Sequence, residues 1–157
     1  MRQKGSIVNK EKLYFDTSVP SAYYDGRTKE RMELTKEFWG KVDSYELYVS
    51  TLVIDELNQV TPKNLRENLL KLVNHCIILK LDGEIEDLAE AYVKAGILPQ
   101  KYFNDALHMA VAVVNGIKFL VSWNFKHFVN VKTRRMVNLV NLKEGYGIIE
   151  IIAPPEL

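Results

Sequence analysis

Four polar side chains stand at points where an α/β chain has little structural need of them. Asp16 follows an apolar triplet directly, in Leu13-Tyr14-Phe15-Asp16-Thr17-Ser18. Glu56 falls on the same helical face as Leu52, Val53, Leu57 and Val60, while its neighbour Asp55 lies with Thr51, Asn58 and Gln59 on the polar face. Asp105 opens a segment that is apolar on nearly every side, Ala106-Leu107-His108-Met109-Ala110-Val111-Ala112-Val113-Val114. Asn124 follows another apolar run, in Leu120-Val121-Ser122-Trp123-Asn124-Phe125. A carboxylate on a core-facing stripe is costly unless a cation or a donor meets it. Three carboxylates and an amide, with no cysteine or histidine quartet, form an oxygen-rich donor set. Such a set suits hard cations such as Mg²⁺ or Mn²⁺, whereas zinc prefers nitrogen and sulfur. One such ion can bind a phosphate oxygen and activate water. A second, about 4 Å away, can stabilise the leaving oxygen of an in-line displacement. The chemistry of the set is therefore phosphodiester hydrolysis.

Each position also has a plainer reading. Asp16 and Asn124 serve equally as turn or cap residues, and Asp105 as an acid favoured by a helix dipole, with Asn104 as the cap. Glu56 could be one half of a buried ion pair with a lysine or arginine. His108, three residues beyond Asp105, lies on the same side of that helix and is expected to be its partner.

The elements that position these residues follow from periodicity. Short apolar runs at Leu13–Phe15, Leu47–Val49, Cys76–Leu79, Lys118–Val121 and Ile148–Ile152 read as five strands. Helical patterns fall between them, over Thr28–Val42, Thr51–Val60, Asn64–His75, Glu84–Ala95, Phe103–Asn115 and Lys132–Leu142. Gly96 and Gly116 mark two of the helix ends. Strands alternating with helices predict a mostly parallel five-stranded sheet covered on both faces, a three-layer α/β/α sandwich. Ligands of such sheets bind outside the carboxyl ends of the strands. Asp16 and Asn124 sit at that edge, and Glu56 and Asp105 lie in the helices after strand two and before strand four.

The ordered set Asp16, Glu56, Asp105 and Asn124 resembles the PIN domain. The likeness runs through Leu13–Ser18, Ser50–Leu57, Asn104–Ala110 and Val121–Phe128 and covers roughly Lys12 to Ile152. Within that family it is similar to the toxin ribonucleases of VapC type. The resemblance implies an α/β/α sandwich and a divalent-metal-dependent ribonuclease that leaves a 5′-phosphate and a 3′-hydroxyl. It assigns Asp16, Glu56 and Asp105 as catalytic acids, and these with Asn124 as the ligands of Mg²⁺ or Mn²⁺. It gives Ser18 a role in supporting the first acid, and Lys126 a place against substrate phosphate. Many members carry Asp where Asn124 stands, and losing that charge favours weaker metal binding. An RNA substrate, an antitoxin partner and a homodimer also follow from the resemblance. The site chemistry itself does not distinguish RNA from DNA.

Two other readings compete. One is a non-catalytic PIN-like domain that binds RNA or protein, favoured by Asn124. The other is a phospho-acceptor domain with Asp82 as acceptor. It is disfavoured because Asp16 has no adjacent acid and the fifth strand ends without a lysine, in Ile152-Ala153-Pro154.

Composition sets the outer limits. The chain of 157 residues fits one domain, 1–157, with residues 1–10 and 153–157 as short tails. It lacks an apolar run of the roughly 20 residues needed to cross a bilayer, and its start is polar, which together point to the cytoplasm and away from membranes. The lone Cys76, beside Ile77 and Ile78, reads as a buried thiol. Net charge is only +1, but Ala106 to Lys143 contains no Asp or Glu and holds six lysines and arginines. That stretch is either a phosphate-attracting surface or a set of solvated helix positions. Tyr23, Tyr24, Phe38 and Trp39 read as core packing, with partner contact as the alternative.

Overall fold

The computed structural model describes residues 9–157, so most of the expected N-terminal tail lies outside the described residues. Five strands form one sheet: β1 (Glu11–Phe15), β2 (Tyr45–Ser50), β3 (Ile77–Leu79), β4 (Phe119–Val121) and β5 (Glu150–Ile152). Every pairing is parallel, in the order β3-β2-β1-β4-β5. Leu13 of the central strand pairs in register with Leu47 on one side and Phe119 on the other.

The helices are α1 (Ser18–Tyr23), α2 (Lys29–Trp39), α3 (Thr51–Leu57), α4 (Lys63–Leu72), α5 (Gly83–Lys94), α6 (Phe103–Val114) and α7 (Val131–Lys143). From β1 to β3 the chain steps outward in one direction, and after β3 it returns across the sheet to β4. Right-handed crossovers then place α1–α4 on one face and α5–α7 on the other. The packing agrees: α1 meets α2 and α4, whereas α5 meets α6 and α7. The result is the expected three-layer sandwich, with a sheet that is wholly parallel. The crevice opens where the strand order reverses, at the carboxyl ends of β1 and β4.

β1 is the core of the core, with Leu13, Tyr14 and Phe15 fully buried. Phe15 packs against Phe38 and Trp39, and Trp39 in turn against Tyr23. Most of the aromatic set is therefore packing, and Tyr24 is its exposed member. α6 is buried from Ala106 to Val113, as its all-round apolar sequence requires. Cys76 is buried, and burial pushes its thiol up to about 12.

The C-terminal residues correct the sequence reading of a tail over 153–157. Pro154–Glu156 form a 3-10 turn, Ala153 and Pro154 are buried, and the turn packs on α2. Glu156 accepts the Ala153 amide at 2.8 Å and pairs with Arg134 at 3.4 Å. Proline ends a helix or strand but fits the first turn of a 3-10 helix, where no N–H is needed. α1 was not expected either; Pro20 in its first turn is the signal that marks it.

Candidate active site

Asp16 leaves β1 at the crevice and is 5% exposed. Its backbone amide still reaches the Val121 carbonyl of β4, at 3.4 Å. Its carboxylate accepts the Ser18 hydroxyl at 2.5 Å on one oxygen and the Ser122 hydroxyl at 2.9 Å on the other. Those hydroxyls in turn accept backbone amides, Trp123 into Ser18 and Asn124 into Ser122, each at 2.9 Å. The first acid is thus clamped between the ends of β1 and β4. Ser18 does what the resemblance implied, and Ser122 is a second support that sequence reasoning missed. Burial raises the Asp16 carboxyl above the ordinary range, against the lowering influence of His108 and the two serines.

Glu56 projects from α3 and is about 38% exposed at its side chain. Among the described residues no lysine or arginine pairs with it, and the partner it meets is a histidine. His108 Nε2 lies 3.2 Å from its Oε1, and the Thr17 hydroxyl donates to the same oxygen. Burial works to raise the Glu56 carboxyl, but the bonds from His108 and Thr17 outweigh it and hold the group below the ordinary range. Behind His108 runs a buried chain: its Nδ1 is 2.7 Å from the Tyr14 hydroxyl, which is 2.8 Å from Ser50 Oγ. With the His108 proton on Nε2, Tyr14 donates to Nδ1 and Ser50 donates to Tyr14.

The expected pairing of His108 with Asp105 is therefore corrected. α6 turns His108 down toward β1, where Tyr14 and Glu56 meet it. Asp105 instead meets His127, whose Nδ1 donates to Oδ2 at 2.6 Å. The His127 ring stacks on Tyr102 at 4.1 Å between centroids, and its Nε2 is buried without a hydrogen-bond partner among the described residues. Asp105 and Asp16 are close enough for the charge of Asp105 to raise the Asp16 carboxyl. Asn124 lies at the same edge, but its Oδ1 already accepts the His127 amide at 2.9 Å, capping the turn. Lys126 is exposed on that loop, and Asp55 is exposed on α3 away from the cluster. The basic stretch divides: Lys126, Lys132, Arg135 and Lys143 are exposed, while Arg134 bonds the Ile151 carbonyl and Lys118 pairs with Glu11 and Glu150.

Asp82 stands apart from this cluster. It caps α5, accepting the Ile85 amide at 3.0 Å, beyond an edge strand two places from β1.

Three acids at one edge, with no lysine or arginine paired to them among the described residues, form a donor set whose chemistry fits a hard cation. Their hydrogen bonds hold them toward different neighbours. Among the described residues no three His, Cys, Asp or Glu side chains gather round a single point.

A parallel α/β sandwich with acids at its topological switch point defines the class of protein. Residues 13–131 match the family model of the PIN domain, and the chain belongs to that family. Solved structures with similar folds include the Mycobacterium tuberculosis toxin VapC20, described as cleaving the sarcin–ricin loop. It shares 18% identity over 73% of this chain and 92% of its own, with a TM-score of 0.57. VapBC2 of Rickettsia felis, solved bound to a DNA fragment from its promoter, shares 13% over 89% of this chain and 98% of its own, with a TM-score of 0.55. Comparison with curated proteins gives no match.

Proposed function

We propose that this chain, as a single domain over 1–157, is a metal-dependent endoribonuclease and the toxin half of a toxin–antitoxin pair. The observation that carries the reading is Asp16, a carboxylate 5% exposed with hydroxyl donors but no lysine or arginine paired to it among the described residues. A buried carboxylate of this kind is costly until a cation arrives. Asp16, Glu56 and Asp105 would hold Mg²⁺ or Mn²⁺, with Asn124 as a fourth contact through the second lone pair of its capped oxygen. The bound ion supplies Lewis-acid stabilisation of phosphate charge and an acidified water. Water oxygen adds to phosphorus and the bond to the 3′ oxygen breaks, leaving a 5′-phosphate and a 3′-hydroxyl. Ser18 and Ser122 fix Asp16, His108 and Thr17 keep Glu56 ionised and aimed, and His127 fixes Asp105. Lys126 stands ready for substrate phosphate.

The VapBC2 neighbour supports an antitoxin partner. A groove of about 510 Å³ between α1 and α4, lined by Tyr24, Val60, Leu65 and Leu69 among others, offers it a seat. Exposed Leu139, Leu142 and Ile148 supply an apolar patch for a homodimer. No helix of the described residues is long and apolar enough to cross a membrane, in keeping with a cytoplasmic toxin.

A second reading, a binding-only PIN domain, is favoured by the dispersed acids and by Asn124. Cleavage of a single-stranded RNA pool with Mg²⁺, with Mn²⁺ and with chelator separates the two. We expect metal-dependent cutting that Asp16→Asn and Asp105→Asn each reduce about a hundred- to a thousandfold while the fold is kept, an order typical of lost transition-state electrostatics. Full activity in either variant refutes the site. A folded protein that neither cuts nor binds Mn²⁺ establishes the binding-only reading.

A further inference from the structure

The loop after β4 holds three aromatics, one of them in surroundings opposite to the other two. Trp123 is 7% exposed and Phe128 is fully buried, yet Phe125 between them is 47% exposed. The loop is built to keep it there: Asn124 caps its own turn, and the Asn130 amide donates to the Phe125 and Lys126 carbonyls at 3.0 Å. Phe125 leans edge-on against Trp123, with centroids 6.1 Å apart. From α2, the Arg31 guanidinium lies 4.9 Å from the Trp123 ring centre and 5.9 Å from that of Phe125. Arg31 forms no ion pair among the described residues, so its donors are uncommitted to any carboxylate. The floor of this platform is tied to the acids, since the Trp123 amide donates to Ser18, which donates to Asp16.

We propose that Phe125, with Arg31 beside it, is a stacking platform for one unpaired nucleobase next to the bond that is cut. An exposed aromatic ring accepts any base on its open side, and a guanidinium held over the Trp123 and Phe125 rings suits the phosphate that the base carries. Because the platform is fixed to Asp16 through Ser18, a base seated there sets the phosphate in register with the acids. Duplex RNA cannot offer such a base without unstacking it, so the platform selects single strands. The proposal rests on the nuclease reading for its substrate, but its test does not require cleavage.

The test is fluorescence anisotropy of a labelled ten-nucleotide oligoadenylate RNA in chelator, repeated with an abasic nucleotide at each position in turn. Phe125→Ala is expected to weaken the intact strand about five- to a hundredfold, the range typical of one base–aromatic stack. Phe125→Tyr is expected to bind as the parent does. One abasic position is expected to weaken the parent and to leave Phe125→Ala unaffected, a coupling that a merely structural role would not produce. Unchanged binding by folded Phe125→Ala overturns the platform and leaves the nuclease reading intact. Failure of the parent chain to bind the RNA at all overturns the platform, and metal-dependent cleavage then decides the nuclease reading by itself.

Discussion

At the scale of the residue, the acids are ordinary and their partners are not. Glu56 and Asp105 each meet an imidazole, and the two histidines come from different places: His108 from α6 and His127 from the loop after β4. Outer partners of this kind typically change metal affinity or activity about 10–100-fold when removed. His127→Phe keeps the ring against Tyr102 but removes the donor to Asp105. We expect that variant to melt near the parent temperature while its Mn²⁺ affinity, read by calorimetric titration, falls about tenfold or more. Equal affinity would mean that His127 only fills space. The acids were legible in the sequence because a carboxylate on an apolar stripe or after a strand breaks a local pattern. Their partners were not. His127 is 22 residues from Asp105, and no periodicity links a loop to a helix on the far side of a strand. His108 was drawn to Asp105 by its spacing of three, but the buried Tyr14 hydroxyl beneath α6 decides where it points.

At the scale of the element, boundaries are set by caps. Asp82 and Asn130 each accept the amide three residues ahead, at 3.0 Å and 2.8 Å, and so start α5 and α7. Asp82→Ala should cost about 1 kcal/mol in urea denaturation and leave RNA cleavage unchanged. A loss of activity at constant fold would instead point to chemistry at Asp82. All five strands and the six longer helices were legible from their apolar periods, with Gly96 and Gly116 marking two of the helix ends. α1 was not: six residues are too few for a helical period to repeat, and Asp16, Thr17 and Ser18 read equally well as a turn. The closing 3-10 turn was missed because three residues show no period, and Pro154-Pro155 read as a stop although proline fits such a first turn.

At the scale of the whole molecule, the site is a liability to the fold that carries it. Burial raises the Asp16 carboxyl, so the folded chain holds that proton more tightly than the unfolded one. Stability from this group is present below its unfolded value and is lost as pH climbs through the folded one. At neutral pH the ionised Asp16 therefore works against folding. Asp16→Asn should raise the melting temperature of the metal-free protein at pH 7 by more than it does at pH 4. Mn²⁺ should stabilise the parent and not the variant. Scanning calorimetry with and without chelator reads both effects, and a variant less stable than the parent at pH 7 contradicts them.

The central position of β1 has a further consequence, in time. Its neighbour on one side, β2, begins at Tyr45, but its neighbour on the other, β4, begins only at Phe119. A ribosome makes the first acid early and must go on through most of the chain before Ser122 can close over it. Until then β1 keeps one open edge, and the half-made protein holds Asp16 without its clamp. The clamp round Asp16 is thus among the last parts of the molecule to close, because it waits for β4 and the residue that follows it.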